Sequence, residues 1–125
     1  MWSASKERGS AVTDFVLVAF PMLAIFSATI SITLGSYARV VLLDATIEGA
    51  RFAALADQDI ASGIVKTQKL ITGSLGPAAK VEVVGSTTRI GTIESIRLVS
   101  SLRLAILPAG TLLTVSSVAT REVEY

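Results

Sequence analysis

Phe15-Val-Leu-Val-Ala-Phe-Pro-Met-Leu-Ala-Ile-Phe-Ser-Ala-Thr-Ile-Ser-Ile-Thr-Leu-Gly-Ser-Tyr37 contains no charged side chain. As an α-helix rising ~1.5 Å per residue it reaches about 35 Å, enough to cross a hydrocarbon core of ~30 Å. Two other readings compete with a membrane span. A buried core helix would need protein on every side, and a chain of 125 residues is too small to supply it. A cleaved secretory signal finds small residues at suitable spacing in Ser36-Tyr37-Ala38. However, the apolar run exceeds the ~7–15 residues of a usual signal core, and the helical pattern continues past Ala38. Lys6 and Arg8 precede the run with only Glu7 opposing them, Asp14 stands at its mouth, and the next charge is Arg39. This bias places the N-terminus inside the cell and the C-terminus outside, with a single span.

Within the run, Ser27, Thr29, Ser31, Thr33, Gly35 and Ser36 make the second half small and polar. Such residues either let helices pack closely in lipid or bond back to their own preceding turn. Pro21 has no amide hydrogen to give the carbonyl of Leu17, so a kink or local unwinding is expected there.

Past the run, Val40 to Leu43, Ile47, Ala50, Ala54 and Leu55 continue the helical period, and Asp44, Glu48 and Arg51 form a polar face. Glu48 and Arg51 are spaced to pair across one turn. The helix is expected from about Ala11 to Ala56. Asp57 or Asp59 then caps a second helix with Ile60, Ile64, Ile71 and Leu75 on one stripe, ended by Gly76-Pro77. From Lys80 the period becomes two. Lys80 to Val84 reads as a strand, Val84 to Thr92 as a loop rich in Gly, Ser and Thr, and Ile93 to Ile106 as a strand with a bulge around Ser100-Ser101. Leu107-Pro108-Ala109-Gly110 is a turn, and Leu113 to Val123 a final strand. The expected fold is therefore α+β: a long N-terminal membrane-spanning helix, a second shorter helix, and a three-stranded antiparallel sheet. One face of the sheet is covered by helix 2 or by the outer part of helix 1.

Charge and composition narrow the function. The eleven basic and ten acidic residues form no block of either sign, so the clustered cations of a nucleic-acid surface are missing. The chain has no Cys and no His, which removes disulfides, Cys or His nucleophiles and His or Cys metal sites. A carboxylate enzyme would need two acids in one pocket, and Glu82, Glu94, Glu122 and Glu124 fall on solvent-facing strand positions or in the tail. Neither an enzyme nor a cofactor is expected.

Directly before the span lies Gly9-Ser-Ala-Val-Thr-Asp14-Phe15. The spacing alone carries little, since nine Gly and ten acids in 125 positions give about 0.7 such pairs by chance. Taken alone, Gly9 is a flexible entry and Asp14 a first-turn acid favourable to the helix dipole. Its placement between a basic leader and an apolar helix resembles the processing site of type IV prepilins and pseudopilins. The resemblance extends over residues 7–56 to the TadE-type minor pilins of tight-adherence pilus systems. It comprises the Arg8-Gly9-Ser10 start, an acid followed by an aromatic at Asp14-Phe15, Pro21 seven residues on, Tyr37 near the end of the span, and the Ala-rich Glu48-Gly-Ala-Arg-Phe-Ala-Ala-Leu-Ala56. The family usually has Glu where this chain has Asp14. The β-rich remainder matches the family in general layout.

The resemblance implies a leader of residues 1–9, cut between Gly9 and Ser10 by a membrane prepilin peptidase. It further implies a long helix over 10–56 containing the span 15–37, and a small extracytoplasmic α/β domain over 57–125. The product would be a structural component of a Tad-type pilus. It would be held first in the cytoplasmic (inner) membrane and later in an extracellular pilus, with other pilin subunits and the assembly machinery as partners. Asp14 would neutralise the new ammonium at Ser10, because a buried cation needs a counter-charge, and Phe15 would share the assembly contact. The alternative is a permanently anchored extracytoplasmic binding domain that is never cut.

Overall fold

A computed structural model describes the backbone of residues 4–55, 57–104 and 111–120, and the side chains within 8–55, 57–103 and 114–120. The elements are α1 (Ala4–Ala53), α2 (Ile60–Leu75), β1 (Val81–Ile90), β2 (Ile93–Leu104) and β3 (Thr111–Thr120). The chain divides into two compact units, Met1–Leu34 and Gly35–Tyr125. The layout is α+β: a long N-terminal apolar helix, a shorter helix and a three-stranded antiparallel sheet in the order β1-β2-β3.

In the second unit both helices pack on one face of the sheet. Side chains alternate along a strand. Accordingly Ile96, Leu98, Ser100 and Leu102 of β2 are buried, and Val83 of β1 and Val115 and Ala119 of β3 reach the same core. Ala38, Leu42, Ala45, Ala50 and Ala53 of α1 and Ile71 of α2 close it from the other side. Both helical elements cover the sheet, so the two alternatives for its cover are realised together.

The helices approach closely where side chains are smallest. A Cβ on Gly49 would meet the Thr67 side chain and come within 2.9 Å of the Gly63 carbonyl oxygen. One on Gly63 would sit 2.5 Å from Ala53 Cβ and 2.7 Å from the Gly49 carbonyl oxygen. Of the buried polar side chains, Thr46, Thr67 and Ser100 are hydrogen-bonded, whereas the Ser95 hydroxyl is buried without a described partner. Thr46 Oγ1 lies 2.6 Å from the Leu42 carbonyl and 2.7 Å from Ser100 Oγ. One hydroxyl carries one proton, so with Thr46 donating to Leu42 it is Ser100 that donates to Thr46.

α2 has defined ends. Asp59, rather than Asp57, is its N-cap. Its Oδ1 accepts from the Ser62 amide at 2.8 Å and the Ser62 hydroxyl at 2.6 Å. These hydrogen bonds, the hydroxyl's first, hold the Asp59 carboxyl below its ordinary range. At the other end Gly76 takes φ +89° and its amide donates to the Thr72 carbonyl at 2.9 Å, the cap geometry for which glycine is suited.

Four expectations need correction. α1 begins at Ala4 rather than Ala11 and ends at Ala53 rather than Ala56. The loop read over Val84–Thr92 is strand as far as Ile90, and only Gly91-Thr92 turns. Gly91 has φ +63° and no described non-glycine residue has positive φ, which is the two-residue hairpin with glycine first. Gly85, which looked like a loop residue, is instead a packing residue. A Cβ there would meet the Ile60 side chain and lie 2.9 Å from Leu98 Cδ2. The bulge at Ser100-Ser101 is absent, since Ser100 pairs with Val83 and Val115 and Ser101 with Glu82 and Thr114 in unbroken register. Finally, Glu48 pairs with Lys66 of α2 at 3.0 Å rather than with Arg51, and the same ammonium lies 4.5 Å from the centre of the Phe52 ring. The turn at 107–110 and the strand ends at 105–106 and 121–123 lie outside the described residues.

Two outcomes follow for stability. Gly63→Ala should lower the unfolding midpoint of the full chain, by about 1–3 kcal/mol of overpacking. Gly73→Ala, where an added Cβ meets nothing within 4 Å, should be neutral or stabilising by about 0.5–1 kcal/mol through helix propensity. Equal effects in thermal unfolding would contradict the close helix crossing. At Asp59 the folded carboxyl is the more acidic one, so its contribution is complete above its ordinary value near 3.8 and is lost as pH falls through the lower folded value. Asp59→Asn should keep the cap and remove that component of the acid-side pH dependence, measured by unfolding between pH 2 and 6.

Candidate functional site: the N-terminal apolar helix and its charged mouth

Residues 8–34 of α1 form a helix with almost nothing packed on it. Among them only Ala19 and Ser31 are even partly covered. Phe15 is 71% exposed, Phe20 75%, Ile25 68% and Ile32 70%. At about 25 cal/mol per Å² of apolar surface, such a surface in water is strongly unfavourable on every side of the helix. The described helix Arg8–Ala53 is long and apolar enough to cross a membrane, and its most apolar window has no buried residue. That removes the buried-core reading for this stretch. It is compatible with a single-pass membrane protein whose span lies near the N-terminus.

The hydroxyls of the span bond to their own helix. Thr29 donates to the Ile25 carbonyl at 2.9 Å, Ser31 to Ser27 at 2.8 Å and Thr33 to Thr29 at 2.9 Å. The back-bonding alternative for these three residues is thus realised. The helix also runs unbroken through Pro21, so the local unwinding expected there does not occur, although Pro21 brings no N–H to Leu17.

Gly9, Ser10, Asp14 and Phe15 all lie on α1 and all are exposed. Gly9 was expected to precede the helix and Ser10 to lie at or just before its start, but the structure puts the bond between them inside it. The Gly9 carbonyl accepts the Thr13 hydroxyl at 2.9 Å, and a Cβ on Gly9 would meet nothing within 4 Å. Asp14 stands one helical turn from Ser10 and beside Phe15, with no other charge until Arg39. Ser36-Tyr37-Ala38 is helical as well, and Ala38 is buried in the core of the second unit.

The second unit offers shallow grooves. One runs between the end of α1 and β3, and another is lined by Phe52, Asp59, Lys66 and Lys69 among others. Among the described residues no three of His, Cys, Asp and Glu gather to hold a metal. Sequence reasoning missed the groove beside β3, because it joins residues some seventy positions apart.

The chain has no cysteine, which allows a direct test of the helix surroundings. With the full chain in lipid nanodiscs, Ile25→Cys should resist a charged, membrane-impermeant maleimide, whereas Ala61→Cys on the exposed side of α2 should react fully. Equal labelling rates at the two positions would place the N-terminal helix in water.

The chain matches no protein-family model, no curated protein and no solved structure, so any function assigned to it rests on its own residues.

Proposed function

We propose that the chain is a TadE-type minor pilin, a pseudopilin of a tight-adherence pilus. In this reading it spans the cytoplasmic membrane once, N-terminus inside, and is cut between Gly9 and Ser10 by a prepilin peptidase. It then assembles with other pilin subunits through its N-terminal helix. The observation that carries the reading is an apolar helical stretch over residues 15–34, exposed on nearly every side, with a single acid, Asp14, at its mouth. Lipid covers such a helix before assembly, and neighbouring helices cover it afterwards. Cutting at Gly9 removes the basic leader and creates an ammonium at Ser10. In an apolar bundle that cation needs a counter-charge. Asp14, one turn away on the same helix or on a neighbouring subunit, supplies it, with Phe15 in the adjoining contact. The carboxylate of Asp14 is one methylene shorter than the family's Glu.

The helical Gly9–Ser10 bond bears on processing. Proteolysis requires the helix to open there, and glycine weakens a helix by roughly 0.5–1 kcal/mol relative to alanine. The Thr13 hydroxyl on the Gly9 carbonyl acts the other way. That bond favours the second reading, a permanently anchored extracytoplasmic binding domain that is never cut.

Mass spectrometry of the mature N-terminus and co-purification with sheared pili separate the two. A chain starting at Ser10 and a block by Gly9→Leu are expected for the pilin; an intact leader supports the anchor. Asp14→Ala should be inserted and cut yet fail to join pili, because breaking a buried charge pair costs about 3–5 kcal/mol. Asp14→Glu should assemble at least as well as the native chain. If Asp14 contributes only a helix-dipole interaction of about 0.3–1 kcal/mol, Asp14→Ala will co-purify normally and the assigned role is wrong.

A further inference from the structure

β3 is the last strand of the sheet. It pairs with β2 on one side, and among the described residues nothing pairs with its other side. A free edge displays a row of N–H and C=O groups ready to pair with another strand, and proteins commonly guard such edges with charges or proline. The opposite edge strand, β1, carries Glu82 and Arg89, whereas the ten residues of β3 include neither a charge nor a proline.

A groove of about 630 Å³ lies beside this open edge. One wall is Ile47, Arg51, Ala54 and Leu55, a single stripe along the end of α1 and the turn that follows. The other wall is residues 117–120 of β3. Successive strand residues point to opposite faces of a sheet. A groove that touches all four in a row therefore follows the backbone edge and not one face. At ~3.3 Å per residue this contact is about 13 Å long, the reach of a short extended segment.

Arg51 supplies the chemistry. It is exposed, and its helical neighbour Glu48 is turned to Lys66 instead. Arg51 has no ion-pair or hydrogen-bond partner among the described residues. Among the described residues the groove thus presents three features together: a strand edge with no partner, apolar contacts at Ile47, Ala54 and Leu55, and a guanidinium with no counter-charge.

We propose that this groove binds an extended segment of a partner protein, which adds to β3 as a fourth strand. The segment places an apolar side chain against Ile47 and Leu55 and a carboxylate, two residues along on the same face, against Arg51. Main-chain hydrogen bonds hold the strand, and the alternate side chains select it. The carboxylate meets a guanidinium fork suited to paired hydrogen bonds. A second copy of this chain fits poorly. The described residues of its β3, Thr111–Thr120, include no acid. On its β1, Glu82 lies on the face of the sheet away from the helices, because its neighbour Val83 is the residue buried beneath them. The site is independent of processing at Gly9, and its test does not involve the N-terminal helix.

The test uses the full chain in lipid nanodiscs and a fluorescein-labelled peptide, acetyl-Val-Thr-Glu-Thr-Val-Thr-amide, followed by fluorescence anisotropy. Saturable binding is expected. Arg51→Glu should weaken it by about tenfold or more, the scale of a lost charged hydrogen bond, and a peptide with lysine in place of glutamate should recover binding to that variant. Methylating alternate backbone amides of the peptide should abolish binding to the native chain, an arm that leaves the protein unaltered. The proposal is overturned by no saturable binding up to millimolar peptide, by equal binding of the methylated peptide, or by an unchanged affinity in Arg51→Glu. Peptide affinity that falls as protein concentration rises would assign the groove to a second copy and overturn it equally.

Discussion

The second unit depends on how closely two helices approach. Gly49 of α1 and Gly63 of α2 bring the backbones together, each against the other's carbonyl oxygen, with Ala53 and Thr67 filling the adjoining space. This contact lets two helices share one face of a sheet only three strands wide. Wider side chains at the crossing would push α2 off β1. Ile60 and Ile64 would then lose their seat over Gly85, and the core that joins Leu42, Ile71, Val83 and Leu102 would open. The salt bridge from Lys66 to Glu48 lies across the same pair of helices. Being half exposed, it contributes little more than about 1 kcal/mol. Packing, not charge, sets the geometry.

Much of this architecture is legible from side-chain period. The apolar run, the second helix and the β-rich end all declare themselves through spacing, and the stripe Ile60, Ile64, Ile71 is the one that packs inward. The errors share a cause. Gly85, Ser86, Thr87 and Thr88 have the composition of a loop, but glycine in a strand also marks a place where another element comes close. Composition cannot tell these apart without knowing that α2 lies above. The hairpin signal was present in Gly91-Thr92, a glycine at the first of two turn positions. Likewise two successive serines at Ser100-Ser101 suggested a bulge. In fact each serine hydroxyl has a polar neighbour: Ser100 meets Thr46, and Ser101 lies 3.4 Å from the Thr114 hydroxyl.

The candidate sites divide in the same way. The acid, the glycine and the apolar helix are neighbours along the chain, and their order is visible directly. What local sequence does not convey is that the helix starts early enough to enclose Gly9 and Ser10. Helix starts are set by weak capping preferences, and Lys6, Glu7 and Arg8 are good helix formers that extend a helix already nucleated downstream. The groove beside β3 is of the opposite kind. Its walls come from residues 47–55 and 117–120, and no periodicity links them. Only the fold reveals that Arg51 lines a groove beside a strand edge with no partner among the described residues.

The hydroxyls of the apolar helix have one further consequence. Thr29, Ser31 and Thr33 commit their protons to carbonyls of the preceding turn. What they present sideways is carbon and spare lone pairs, with no donor in need of a partner. Moving this helix between an oily and a proteinaceous environment would exchange no hydrogen bond at these positions. At these three positions the choice of surroundings is then governed by fit rather than by hydrogen bonding. The small residues add narrow places where another backbone can come near. In effect these three side chains carry their own solvation with them, and their share of the enthalpic barrier to changing neighbours is correspondingly low.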